Sequence, residues 1–218
     1  MKKIIILLFI SLFIFSCSEQ EEEIVKVEKV DTTPKTILAL GDSLTAGYGV
    51  GETENYPYKL GKKLEENGYK YDIINAGVSG DTSANLKSRA SLYLEKNPDI
   101  VILVIGGNDG LRGLPVEDMK QNILDIIAMY EKDGVKIVLG GMDIPANLGL
   151  SYKSSFKNVY KEIADEKDKI YFYEYFLEGV AGDRMLNNDD LIHPNGGGYD
   201  IIVGKLFTFL EENKLINK

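Results

Sequence analysis

Four short runs along the chain are continuously apolar and rich in β-branched residues: Thr36–Leu40, Tyr71–Asn75, Ile100–Ile105 and Lys136–Gly140. Runs of that length, bounded by Gly or polar residues, predict strands buried on both faces. Lys169–Tyr173 is a weaker fifth. Between the runs, apolar positions recur at helical spacing. Tyr56–Asn67 sets Leu60 and Leu64 four apart, and Met119–Lys132 puts Ile123, Ile126, Ile127 and Tyr130 on one face. Ser83–Leu94, Ser151–Asp165 and Gly197–Glu212 are the other predicted helices. Strands alternating with helices imply βαβ units, so the predicted fold is a three-layer α/β/α sandwich around a mostly parallel sheet of roughly five strands. No repeat of solenoid period and no second domain boundary interrupts residues 35–218.

The first 34 residues follow a different pattern. Lys2 and Lys3 precede an apolar run from Ile4 to Phe15, then Ser16 and Cys17. A basic start and an apolar stretch too short to span a bilayer predict a secretory signal. Ile14-Phe15-Ser16-Cys17 resembles a bacterial lipobox, in which the thiol is acylated. Residues 1–17 are therefore expected to be a lipoprotein signal peptide with Cys17 as the lipidation site. The chain would then be exported and held by a lipid anchor in the bacterial cell envelope. The alternative is an ordinary cleaved signal with an incidental cysteine. Residues 18–34 are acidic and poor in aromatics, a composition that buries too little apolar surface to fold and predicts a flexible tether. Cys17 is the sole cysteine, so no internal disulfide forms. A net charge of −9 disfavours nucleic acid as a partner, because phosphate-binding surfaces need clustered Lys and Arg.

An open α/β sheet binds its ligands beyond the carboxyl ends of its strands. Ser43 follows the first predicted strand, Gly77–Asp81 the second and Gly106–Asp109 the third. In Gly41-Asp42-Ser43-Leu44 the serine sits on a tight strand-to-helix turn, where a helix N-terminus favours developing negative charge. The same residues would also serve as a plain helix cap. A serine hydroxyl needs a base to take its proton. The chain has one histidine, His193, so only it supplies an imidazole with the right pKa for that task. In Asp190-Leu191-Ile192-His193-Pro194 the three-residue spacing allows the carboxylate to reach the imidazole Nδ1–H. A helix-capping aspartate beside a loop histidine is the duller reading.

The loop Asn75–Ser83 offers backbone N–H groups to an oxyanion or a phosphate, but lacks the spacing of either common nucleotide motif. The Asn108 amide in Gly106-Gly107-Asn108-Asp109-Gly110 suits an oxyanion donor, since it carries no charge to desolvate. The same run is also ordinary turn chemistry where φ > 0 is needed. A lone histidine with no cysteine partner builds no zinc site, and the acidic residues alone would hold calcium only loosely.

Together these segments resemble the GDSL/SGNH hydrolase family, and within it the bacterial acyl-CoA thioesterase, lysophospholipase and arylesterase branch. The match lies in Gly-Asp-Ser-Leu at Ser43, Val-Ser-Gly-Asp-Thr-Ser at Gly80, Gly-Gly-Asn-Asp at Asn108 and Asp-Leu-Ile-His-Pro at His193. The resemblance implies acyl transfer through Ser43, His193 and Asp190, with Ser43, Gly80 and Asn108 forming the oxyanion hole. It implies no cofactor and no metal. The substrate would be a small acyl ester, thioester or lysolipid, and the protein is expected to be a monomer. The resemblance also places the segment after Asn108 and the Pro-Ala-Asn loop beside the substrate, which points to Leu111, Leu114, Ile144, Pro145 and Leu148. A carbohydrate O-deacetylase with the same catalytic set is the rival enzyme, and a lipid- or glycan-binding lipoprotein on a retired scaffold is the non-catalytic rival.

Overall fold

The structure, a computed structural model, describes residues 33–132, 134–167 and 169–218. The signal segment, Cys17 and the tether up to residue 32 lie outside the described residues. Five strands are seen among them: β1 (Lys35–Gly41), β2 (Tyr71–Gly77), β3 (Ile100–Val104), β4 (Lys136–Gly140) and β5 (Ile170–Tyr173). They form one sheet in the order β2-β1-β3-β4-β5, and every pairing is parallel. The order follows from burial. Strands β1 and β3 carry the longest unbroken apolar runs and lie inside the sheet, where Ile37–Leu40 and Ile100–Val104 are at most 1% exposed. Strand β5 lies at an edge with all four residues half-buried, which is why its apolar signal is the weakest.

Seven α-helices accompany the strands in the described residues. The five longer ones are α2 (Tyr56–Glu66), α3 (Ser83–Ala90), α5 (Val116–Tyr130), α6 (Leu150–Asp165) and α7 (Gly196–Glu212). Helix α2 starts at an Asn55 cap, whose side chain accepts from the Tyr58 N–H, and it buries Tyr56, Leu60 and Leu64. Each such buried Leu contributes roughly 1.5–3 kcal/mol. Helix α2 packs on α7, while α3, α5 and α6 lie side by side. These two groups cover the two faces of the sheet and complete the predicted three layers.

Two boundaries differ from the sequence expectation. The helix expected over Ser83–Leu94 is α-helical only to Ala90 and continues as a 3-10 turn over Ser91–Lys96, closed by Asn97 in a left-handed conformation. Tyr93 and Leu94 still pack on the core, so the apolar spacing persists past the end of the α-helix. The helix expected from Met119 begins at Val116, just after Pro115, with Glu117 and Asp118 in its first turn. Those acids complement the positive end of the helix dipole but add no apolar period.

Two helices are single turns: α1 (Ser43–Ala46) directly after β1, and α4 (Gly107–Leu111) just after β3. Strand register brings both to one edge. Gly41 is level with Gly77 on one side and with Val104 on the other. The loops after β1, β2 and β3 therefore leave the sheet at the same height. At Gly77 the neighbour is so close that a Cβ would lie 2.2 Å from the Ala46 backbone nitrogen, so only glycine lets α1 rest on β2.

Candidate active site

Ser43 is the first residue of α1. The Asp42 side chain caps that helix by accepting the Leu44 N–H at 3.0 Å, and Tyr199 Oη donates to the Leu44 carbonyl at 2.9 Å. The serine is thus held from two sides while staying 9% exposed. Capping and display of the serine, alternatives in the sequence, are shared here between adjacent residues. As the first residue of its helix, Ser43 has a backbone N–H without an intrahelical acceptor.

The turn before α7 brings the next two groups. Asp190 Oδ1 accepts the backbone N–H groups of Ile192 (2.9 Å) and His193 (3.0 Å), and Oδ2 meets His193 Nδ1 at 2.6 Å. Burial alone would push the Asp190 carboxyl up, yet the hydrogen bonds from the His193 backbone, its ring and Ile192 outweigh it. The carboxyl is held below its usual range. An ionised carboxylate has only acceptors, so Nδ1 carries the ring proton. Nε2 is then an acceptor, and it lies 2.8 Å from Ser43 Oγ. The capping aspartate for α7 is absent from this turn, because Asn195 caps that helix. Leu191, between the two functional residues, has φ +59°, a conformation costing a bulky side chain about 1–2 kcal/mol. The Tyr48 ring rests on the imidazole with centroids 4.7 Å apart.

Two more loops leave the sheet at the same edge as the serine. In the β2–α3 loop, the Gly80 N–H has no acceptor among the described residues. In α4, Asn108 Nδ2 donates to the Asp81 carbonyl at 3.0 Å, which leaves its second N–H for another acceptor. The left-handed backbone near Asn108 lies at Gly106 (φ +111°), so turn chemistry does not account for the asparagine itself. Buried Asp109 straps the two loops together, accepting the Ser83 N–H at 2.8 Å and the Ser83 hydroxyl at 2.6 Å. Arg89 ties the strand ends, donating to Asp81 Oδ2, the Ala76 carbonyl and the Gly41 carbonyl at 2.7, 2.8 and 3.0 Å.

A cavity of about 390 Å³ opens beside Ser43 and His193. Leu111, Ile144 and Pro145 line it as expected, but Leu114 and Leu148 do not. Leu114 uses its carbonyl to accept the Tyr152 hydroxyl, and Leu148 packs where a Gly113 Cβ would point. Both side chains lie outside the wall. Met142, Tyr175, Leu177, Leu191 and Ile192 also line it, with the Asp143–Lys153 ion pair (3.1 Å) among the polar groups. Sequence reasoning missed these. Met142 follows the carboxyl end of β4, so the rule that located the other loops also points to it.

Asp42 also borders the cavity and is 2% exposed. Burial pushes its carboxyl up to about 7, against the pull of the Leu44 N–H and with further push from Asp109 and Asp81. Among the described residues no group of three or more His, Cys, Asp or Glu side chains is placed to hold a metal ion.

The sequence model of the GDSL-like Lipase/Acylhydrolase family matches residues 39–201. Esterase TesA of Pseudomonas aeruginosa is 37% identical over 161 residues, covering 73% of this chain and 80% of that protein. Thioesterase 1/protease 1/lysophospholipase L1 of Escherichia coli K12 is 34% identical over 161 residues, covering 73% and 76%. The crystal structure of TesA superposes with a TM-score of 0.77 at 34% identity, covering 82% of this chain and 99% of that one.

Proposed function

The chain belongs to the GDSL-like lipase/acylhydrolase family, and on that premise we propose that it is a serine esterase acting on single-acyl esters or thioesters. One observation carries the reading: Ser43 Oγ, the His193 ring and the Asp190 carboxylate form a hydrogen-bonded line, at 2.8 and 2.6 Å. His193 Nε2 takes the hydroxyl proton as Ser43 Oγ attacks the ester carbonyl carbon. Asp190 keeps Nδ1 protonated and supports the imidazolium that forms. The N–H groups of Ser43 and Gly80 and the free Asn108 N–H donate to the tetrahedral oxyanion. His193 then protonates the leaving alcohol or thiol. Water, activated by the same imidazole, releases the acid and restores Ser43.

The apolar wall from Leu111, Met142, Ile144 and Leu177 favours an acyl chain longer than acetyl. The names of the esterase and thioesterase/lysophospholipase relatives agree with that substrate class. The test is hydrolysis of p-nitrophenyl esters from acetyl to palmitoyl. Activity on medium or long chains, lost in Ser43→Ala and His193→Ala proteins that keep their fold, supports the proposal. A preference confined to acetyl esters would move it to the O-deacetylase class, and unchanged turnover in Ser43→Ala would end it.

Lipid attachment at Cys17 and placement in the cell envelope belong to the same proposal and rest on the pattern of residues 2–17. Incorporation of an alkyne fatty acid in cells, abolished by Cys17→Ala, is the expected result.

A further inference from the structure

The two side-wall donors assigned to the oxyanion come from different loops, and one side chain touches both loops. Arg112 caps the end of α4, one helical turn after Asn108, so the two side chains lie on the same face. Its Nη2 donates to the Gly80 carbonyl at 3.0 Å and reaches Asn108 Oδ1 at 3.5 Å. We infer that Arg112 is a positioning residue for the oxyanion hole, bridging Gly80 and Asn108 so that both donors keep facing Ser43. This rests on the esterase reading above.

The asparagine amide has two possible orientations. In the one observed, Nδ2 faces the Asp81 carbonyl and Oδ1 faces the guanidinium, so a donor meets an acceptor on each side. Turned over, the amide oxygen would face a carbonyl and the amide nitrogen would face a cation with no acceptor. Arg112 and the Asp81 carbonyl together exclude the wrong orientation, and the remaining N–H is left for the oxyanion. Without Arg112 only one of the two discriminating contacts survives.

Gly80 presents a second freedom. It has φ +87° and no side chain, so only contacts restrain its backbone. The peptide unit after it is held at both ends: Asp81 N–H donates to the Val78 carbonyl at 3.2 Å, and the Gly80 carbonyl accepts from Arg112. Fixing that unit limits rotation about Gly80 and so steadies its own N–H. Arg112 itself is exposed, and among the described residues its side-chain hydrogen bonds are these two. Its removal therefore leaves no hole in the core. A preorganised donor is worth more than one that must be reoriented during the reaction.

The experiment compares full-length wild type, Arg112→Met, Arg112→Lys and Asn108→Ala, plus the Arg112→Met/Asn108→Ala double variant, on a p-nitrophenyl ester. Ser43→Ala is the control, and an alkylboronic acid serves as the oxyanion-like inhibitor. Arg112→Met is expected to lower kcat about tenfold, less than the roughly 10²–10³-fold typical of deleting a donor outright, with KM within twofold. Boronate affinity should fall by the same factor as kcat. In the Asn108→Ala background the Arg112→Met effect should shrink to about threefold or less, since only the Gly80 tie is left to lose. Arg112→Lys, which keeps the charge but loses the fork, should fall between wild type and Met. The inference is overturned by an unchanged kcat in Arg112→Met, by a lowered kcat with unchanged boronate affinity, or by an equal effect with and without Asn108. Activity surviving in Ser43→Ala would instead defeat the esterase reading on its own terms.

Discussion

Replacing Asp42 with Asn removes one titratable carboxyl from beside the serine and keeps the helix cap, since Asn caps as well as Asp. The carboxyl Oδ1 that accepts the Leu44 N–H is matched by the amide oxygen. In the folded protein Asp42 is held protonated up to about 7, against an ordinary value of 3.8. An unfolded chain gives up this proton from about pH 4 upward, so between those values the folded state binds one proton more. Stability then falls as pH rises through the window, by about 1.36 kcal/mol per pH unit, or about 4 kcal/mol in all. Asn has no such proton. The stability of Asp42→Asn relative to wild type should therefore improve by about 3 kcal/mol between pH 4.5 and pH 8. For a chain of this size that corresponds to a divergence in Tm of about 6–12 °C. Any cost of the new amide N–H beside the cavity is independent of pH and cancels when the two pH values are compared. Urea and thermal unfolding of both proteins at the two pH values measure it. A stability difference that is the same at both, within about 0.5 kcal/mol, would refute the reasoning and show that Asp42 is ionised in the folded state without penalty.

Other consequences are equally direct. Asp190→Asn leaves the turn in place but no longer dictates which ring nitrogen of His193 is protonated, and kcat should drop about 10⁴-fold; a drop below tenfold in steady-state kinetics would remove Asp190 from that role. Gly77→Ala puts a methyl 2.2 Å from the Ala46 nitrogen, and should cost about 3 kcal/mol or more, or prevent folding, as read by circular dichroism and thermal unfolding. Ile144→Trp, on the cavity wall, should shift the preferred acyl group to a shorter chain, whereas Leu148→Ala, off the wall, should leave the chain-length profile as it is. A profile that responds to Leu148 and ignores Ile144 would relocate the acyl site.

Much of this arrangement was legible in the amino-acid order because burial on both faces of a parallel sheet writes itself as unbroken apolar runs. The five strands and the five longer helices follow from that and from helical spacing. Ser43 and Asn108 stood out for a related reason, since each sits just past the end of such a run, whereas Gly80 was singled out within its loop only by the resemblance to the family's motif. His193 stood out by being single, and Asp190 by its spacing from it. What escaped were contacts that depend on how loops meet. Leu114 and Leu148 read as wall residues because they are apolar and near the right motifs, but an irregular segment has no period to say which way a side chain points. Met142 and Leu177 reach the cavity from the segments after β4 and β5, where no motif singled them out. Arg112 and Tyr48 have no role that the amino-acid order assigns, and only the fold sets them against Asn108 and His193. The single turns α1 and α4 are too short to show any period at all.

The serine and its base are separated by 150 positions in the chain, one at the end of the first strand and the other at the entrance to the last helix. On the mechanism proposed above, a growing polypeptide carries Ser43 through most of synthesis before His193 is made, so chain order itself delays activation of the hydroxyl. On that mechanism turnover reads out complete assembly: a fragment stopping short of residue 193 is expected to be inert however much of its sheet has formed.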